Sequence, residues 1–94
     1  MFDIRRQPDG TLSLHGRFDA SQVERATALF DQVADSVVVD FAELKYISSA
    51  GLGLLFATQR RLVDEGHSLT LRNLSPHISE VFHIAGFDHI FRIE

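Results

Sequence analysis

The sequence predicts an α/β domain built on a mixed β-sheet, with helices packed against it and elements in the order ββαβαβαβ. Three observations carry that prediction. Two segments of alternating apolar residues flank a turn at the N-terminus, helical and strand-like periods then alternate along the chain, and the apolar run "SVVVDF" shows no alternation. Ninety-four residues suffice for one hydrophobic core and fall short of two, so residues 1–94 read as a single domain.

Each element has its own signal. Phe2 and Ile4 alternate with polar neighbours, "QPDG" supplies turn residues, and Leu12 and Leu14 alternate again, which predicts a hairpin. From Asp19 the period lengthens. Val23, Ala26, Phe30 and Val33 recur at helical spacing, and Ser21 followed by Glu24 fits a capping box, so the first helix is predicted over residues 21–34. "SVVVDF" reads as a central strand buried on both faces and ending near Asp40. The second helix follows "FAELKYIS", with Leu52, Leu55, Phe56, Leu62 and Val63 on its apolar face, Thr58, Arg60, Arg61 and Asp64 mostly elsewhere, and a stop at Gly66. "SLTLRN" alternates as a strand. A short third helix has Ser75 as cap, Pro76 at its first position, Ile78, Val81, Phe82 and Ala85 as its stripe and Gly86 at its end. Phe91 and Ile93 in "HIFRIE" suggest a last strand.

Composition narrows the function. The net charge is −4 and the nine basic residues are scattered, so no footprint for nucleic acid is present. The absence of cysteine excludes disulfides and thiolate chemistry and fits a reducing compartment. "MFDIRRQPDG" lacks the apolar stretch of a signal peptide and no run reaches membrane-spanning length, so a cytoplasmic protein without direct membrane insertion is expected. His77 and His83 fall on different sides of a helix and no histidine pair has zinc-site spacing, so neither a metal nor another cofactor is expected.

The stretch "KYISSAGLGLLFATQRRL" concentrates what chemistry there is. A hydroxyl of Ser48 or Ser49 can accept from the unpaired amides that open the second helix. No Glu or Gln follows either serine at capping-box distance, and Gly51 and Gly53 each weaken the first turn by about 1 kcal/mol relative to alanine. A bare backbone is the mark of a close approach. The helix start also favours an anion, yet the loop has no Gly-x-Gly-x-x-Gly (Phe56 stands at the third glycine) and no Walker lysine. A phosphate carried by a serine needs neither. Asp40 could orient a serine or an ion, or cap a turn; an esterase built on it with a serine and a histidine lacks the Gly-x-Ser-x-Gly elbow.

"VVVDFAELKYISSAGLGLLFATQRR" resembles the signature region of STAS domains, the fold of bacterial anti-sigma-factor antagonists. In that family a strand ending in Asp, a short loop and an Asp-Ser-(Ser/Thr/Ala)-Gly-Leu motif open the second helix. "LHGRFDASQVERA" is similar to the family's Gly-x-(Leu/Phe)-Asp entry to the first helix, and "LTLRNLSPHISEVFHIAGFDHIFRI" to its last two strands and third helix. The resemblance implies a non-enzymatic partner switch. It makes Ser49 the residue phosphorylated by a partner kinase, matches Gly51 and Leu52 as they stand, leaves Ala50 at a variable position, and aligns Asp19 with the acidic residue near the phosphorylation loop. Ser48 replaces the usual aspartate and is an alternative acceptor. The implied docking surface comprises Phe18, Asp19, Ser21, Ser48, Ala50, Gly51, Leu52 and Gly53. The implied partners are a serine-kinase/anti-sigma factor of the histidine-kinase-like ATPase fold and a serine phosphatase. The alternative is an unphosphorylated STAS subunit acting as a static interaction module, for example in a lipid-transport ABC complex.

Overall fold

The computed structural model describes residues 2–94. Strands β1 (Phe2–Arg6) and β2 (Leu12–Phe18) form the antiparallel hairpin, closed by a turn in which Gly10 has φ +91° and the Thr11 amide donates to Asp9 Oδ1 at 2.9 Å. Helix α1 (Val23–Phe30), β3 (Val37–Ile47), α2 (Ser49–Asp64), β4 (Leu69–Arg72), α3 (Pro76–Ile84) and β5 (Arg92–Ile93) follow. The sheet order is β1-β2-β3-β4-β5, antiparallel at the first pair and parallel thereafter. This is the mixed sheet and the element order that the sequence predicts.

Each parallel connection steps one strand in the same direction, and right-handed crossovers of that kind place all three helices on one face. The burial pattern agrees. Leu12, Leu14 and Phe18 of β2, Val39 and Phe41 of β3, and Leu69 and Leu71 of β4 are buried with Phe30, Leu55, Leu62 and Phe82 of the helices. The other face is polar: register aligns Arg5, Ser13, Asp40 and Arg72 in one row and Asp3, His15 and Glu43 in another. The reading of "SVVVDF" as buried on both faces is therefore corrected, since Val38 and Asp40 are half-exposed on the uncovered face.

β3 is also longer than predicted. Asp40 pairs with Arg72 where β4 ends, but β3 continues to Ile47 beside β2 alone. It gains one residue on β2 between Asp40 and Glu43 and another at Lys45, two bulges that increase its twist. Asp40 thus lies seven residues before the end of its strand, not at it.

The first helix departs from prediction at both ends. The chain enters through a 3₁₀ turn (Ala20–Gln22) capped by Asp19, and the Ser21 hydroxyl donates to Asp19 rather than capping α1. The Ser21–Glu24 capping box does not form; no side chain caps α1. After Phe30 the chain tightens into successive turns, and Arg61 of α2 donates to the carbonyls of Val33 at 2.8 Å and Phe30 at 3.0 Å. A cation from a neighbouring helix closes α1 where the sequence has no cap of its own.

α2 ends as predicted, with Gly66 at φ +84° and the His67 amide donating to the Leu62 carbonyl, the long bond of a Schellman turn. Its buried face is different in part. Val63 is exposed, Phe56 is half-buried against Phe87, and Thr58 and Gln59 are buried. Thr58 turns its hydroxyl back to the Leu54 carbonyl. Gln59 is a clip: its Oε1 accepts from the Leu69 amide at 2.7 Å and its Nε2 donates to the Ile90 carbonyl at 3.0 Å, joining α2 to β4 and to the segment before β5.

Replacing Gln59 with leucine keeps the volume but leaves a buried amide and a carbonyl without partners, and the expected cost is about 2 kcal/mol in urea unfolding. A loss smaller than about 0.5 kcal/mol would show that water reaches both groups.

Candidate functional site

The helical face of the sheet ends, at the C-terminal ends of β2 and β3, in the serine pair. Ser48 has extended backbone (φ −84°, ψ 166°), and its Oγ accepts from the Gly51 amide at 3.1 Å. Its own amide donates to the Phe18 carbonyl at 2.9 Å, and its carbonyl accepts from the Leu52 amide at 2.9 Å. Ser48 is therefore the N-cap of α2, tied to the end of β2. This settles which hydroxyl does the capping: Ser49 is the first helical residue, exposed, with no hydrogen bond from its hydroxyl among the described residues.

Around Ser49 the helix start is uncharged and positively polarised. No acidic residue lies in the first turn of α2, and the amides of Ser49 and Ala50 find no partner among the described residues. The unpaired amides and the helix dipole together favour an anion. Asp19 stands across the entry loop, its carboxyl held below the usual range first by the Ser21 hydroxyl and also by the Ser21 amide, so it stays ionised.

The two glycines play different parts. A Cβ on Gly51 would lie 3.1 Å from Ile47 Cγ1 and 3.2 Å from the Phe18 ring, so the bare backbone lets α2 rest on the ends of β2 and β3. Nothing lies within 4 Å of the corresponding point on Gly53. Its lack of a side chain serves no contact within the described chain.

The predicted docking residues divide accordingly. Ser49, Ala50, Gly53 and Ser21 are exposed, and Ser48 and Asp19 are half-exposed. Phe18, Gly51 and Leu52 are buried in the chain by itself, beneath the exposed residues. Ala20, inside the predicted 18–21 loop, is exposed as well; sequence reasoning passed over the exposed Ala57, although the spacing from Ala50 to Gly53 to Ala57 already put it on one side of the helix.

The other candidates are not gathered here. Asp40 Oδ1 accepts from the Ala42 amide at 2.9 Å and from Asn73 Nδ2 at 3.2 Å, so it caps the point where β4 turns away. It pairs with Ser13, five residues before the Phe18 that holds Ser48, so it lies roughly 17 Å along the sheet from the serines. Ser13 Oγ and His15 Nε2 are 2.9 Å apart on the polar face, but among the described residues no carboxylate meets the other ring nitrogen. Among the described residues no three His, Asp or Glu side chains are grouped as metal ligands, and no helix is long and apolar enough to cross a membrane.

Comparison with known proteins gives the family and the fold. The family model described as "Mlab, STAS domain" matches residues 2–93. A putative anti-sigma factor antagonist, BtrV, of Bordetella bronchiseptica is 40% identical over 76 residues, which are 80% of this chain and 66% of that relative, so the chain spans just under two thirds of its length. The unphosphorylated form of the anti-sigma factor antagonist SpoIIAA superposes with a TM-score of 0.76 at 23% identity, covering 100% of this chain and 88% of that one. The phosphorylated form of the Bacillus cell fate determinant SpoIIAA gives 0.72 at 22% identity, covering 100% and 91%.

The cap and glycine assignments predict an ordering of stabilities in urea unfolding. Ser48→Ala loses about 1 kcal/mol, Ser49→Ala changes little, and Gly53→Ala gains about 0.5–1 kcal/mol. Equal effects at the two serines would remove the distinction between them.

Proposed function

The chain belongs to the STAS-domain family, and from that membership we propose that it acts as an anti-sigma-factor antagonist whose docking to a partner is switched by phosphorylation of Ser49. One observation carries the reading: Ser48 already fills the cap, which leaves the Ser49 hydroxyl exposed at a helix start that has unpaired amides and no acidic neighbour in its first turn. The partner is a serine-kinase/anti-sigma factor of the histidine-kinase-like ATPase fold, and a serine phosphatase resets the switch in the cytoplasm. The chain catalyses nothing itself. Ser49, Ala50, Gly53 and Ser21 form the contact surface, with Ser48 and Asp19 at its margin.

The magnitudes fit such a switch. A phosphate adds roughly −1.5 to −2 charges. In the free protein the helix start favours it by about 0.3–1 kcal/mol. In the docked complex the same dianion is driven into a surface made for small uncharged groups, and an unpaired buried charge costs several kcal/mol. Each 1.4 kcal/mol is about a tenfold loss of affinity, so one modification suffices to release the partner.

The static alternative uses the same face. It is favoured by the smooth exposed run Ala50, Gly53 and Ala57, which accepts a close neighbour without any phosphate. In that reading the chain is a fixed subunit, for example of a lipid-transport ABC complex.

Intact-mass and fragment mass spectrometry of protein from its own cells, with and without phosphatase, separates the two. The expected result is a phosphate on Ser49 that phosphatase removes, together with a kinase partner bound by Ser49→Ala and at least tenfold less by Ser49→Asp. A chain never modified in growth or stress supports the static module, and a phosphate on Ser48 overturns the assignment of the acceptor.

A further inference from the structure

We infer that the cleft between β1 and the end of α1 binds a small carboxylate with an aromatic or branched aliphatic body. The register pairs Arg6 with Leu12 and Ile4 with Leu14, which puts Ile4 and Arg6 on the face that the helices cover. Beneath them is an open cleft of about 170 Å³ with a floor of Leu12, Leu29, Phe30 and Val33 and with Arg6 and Gln32 as its polar lining. Leu12, Phe30 and Val33 are buried, while Leu29 is 41% exposed and forms the lip. An apolar cavity of about 150 Å³ holds one benzene ring, so the space suits a single ring or a branched chain.

Arg6 supplies the choice of head group. Among the described residues no carboxylate lies within salt-bridge distance of it. The nearby carbonyls of Phe30 and Val33 are already taken by Arg61, so Arg6 is not spent on closing α1. An uncommitted guanidinium beside a cleft with an apolar floor selects an anion, and its fork of donors matches a carboxylate, to which the Gln32 side chain adds a second polar group. The larger cavity beside Phe2, about 310 Å³, lacks this property: Asp3 already engages Arg5 at 2.9 Å and Arg25 at 3.6 Å.

The site is independent of the docking surface. Arg6 pairs at the start of β2, whereas Ser48 is tied to the Phe18 carbonyl at its end, roughly 20 Å along the strand. The occupant proposed is a free small molecule, and the titration is run on the chain with no partner present.

The test is a titration of the isotope-labelled full chain with benzoate at constant ionic strength, followed by amide NMR, beside the uncharged match benzyl alcohol. Saturable shifts are expected at Leu12 and at residues 29–33, with a dissociation constant on the order of millimolar. Arg6→Gln, at an exposed position, should weaken benzoate about tenfold and leave benzyl alcohol unchanged. Leu29→Trp should block both by filling the cleft. Shifts that fail to saturate, that centre on other residues, or that persist equally in Arg6→Gln overturn the proposal.

Discussion

The first turn of α2 can rest on the ends of β2 and β3 because residue 51 has no side chain. Its Cβ would press on Phe18 and Ile47, and neither can give: Phe18 is fully buried and stacked on Phe2 at 4.5 Å, and Ile47 closes the core at the end of β3. A clash of that kind in a close-packed interior lifts the helix or strains a rotamer. With glycine there, the Ser48 amide reaches the Phe18 carbonyl and the Ser48 hydroxyl reaches the Gly51 amide. The cap, the exposure of Ser49 and the nearness of the Asp19 loop all follow from one missing Cβ.

Signals that live in short segments were legible before the fold was seen. The hairpin turn, the Schellman ends at Gly66 and Gly86, the Ser75-Pro76 helix start and the alternation of strand and helix are local, and they fixed the element order. What escaped depends on partners distant in sequence. Ser21 reads as a cap, but Asp19 two residues earlier competes for the same role with a charged acceptor and wins. The end of α1 is set by Arg61, thirty-one residues beyond Phe30. Gln59 gives no signal of its own in the sequence, because its partners on β4 and on the segment before β5 are ten and thirty-one residues away. The length of β3 was hidden because its upper half pairs on one side only and carries two bulges, which break the alternation that marks a strand.

The site shows the same division. The serines and glycines were visible as a pattern, and the helix start gave the pattern a chemical meaning. Which serine caps and which is free was undecidable from spacing, since adjacent residues differ only in where the helix begins. The structure assigns the cap to Ser48, where the family resemblance implies an aspartate. A neutral hydroxyl takes over the acceptor's duty without its charge. The consequence is electrostatic: the first turn itself carries no negative group, and the nearest carboxylate on the adjoining strand end is Asp19, outside the helix.

How α2 is held bears on the switch proposed at this end of the molecule. The helix is fastened by Gly51 and Ser48 at its start, by Gln59 to β4 and to Ile90 at its middle, and by Arg61 to the end of α1. A change at Ser49 would have to break several of these bonds to tilt or slide the helix, each contributing about 0.5–1.5 kcal/mol. The dipole interaction of a phosphate with the helix start, about 0.3–1 kcal/mol, is too small to do so. A modification at Ser49 therefore leaves the helix where it is. Its effect is confined to the charge and shape that a partner meets, and a partner that needs the uncharged surface is excluded by desolvation and repulsion alone. A rigid platform makes the response local, which suits a surface read by one partner at a time.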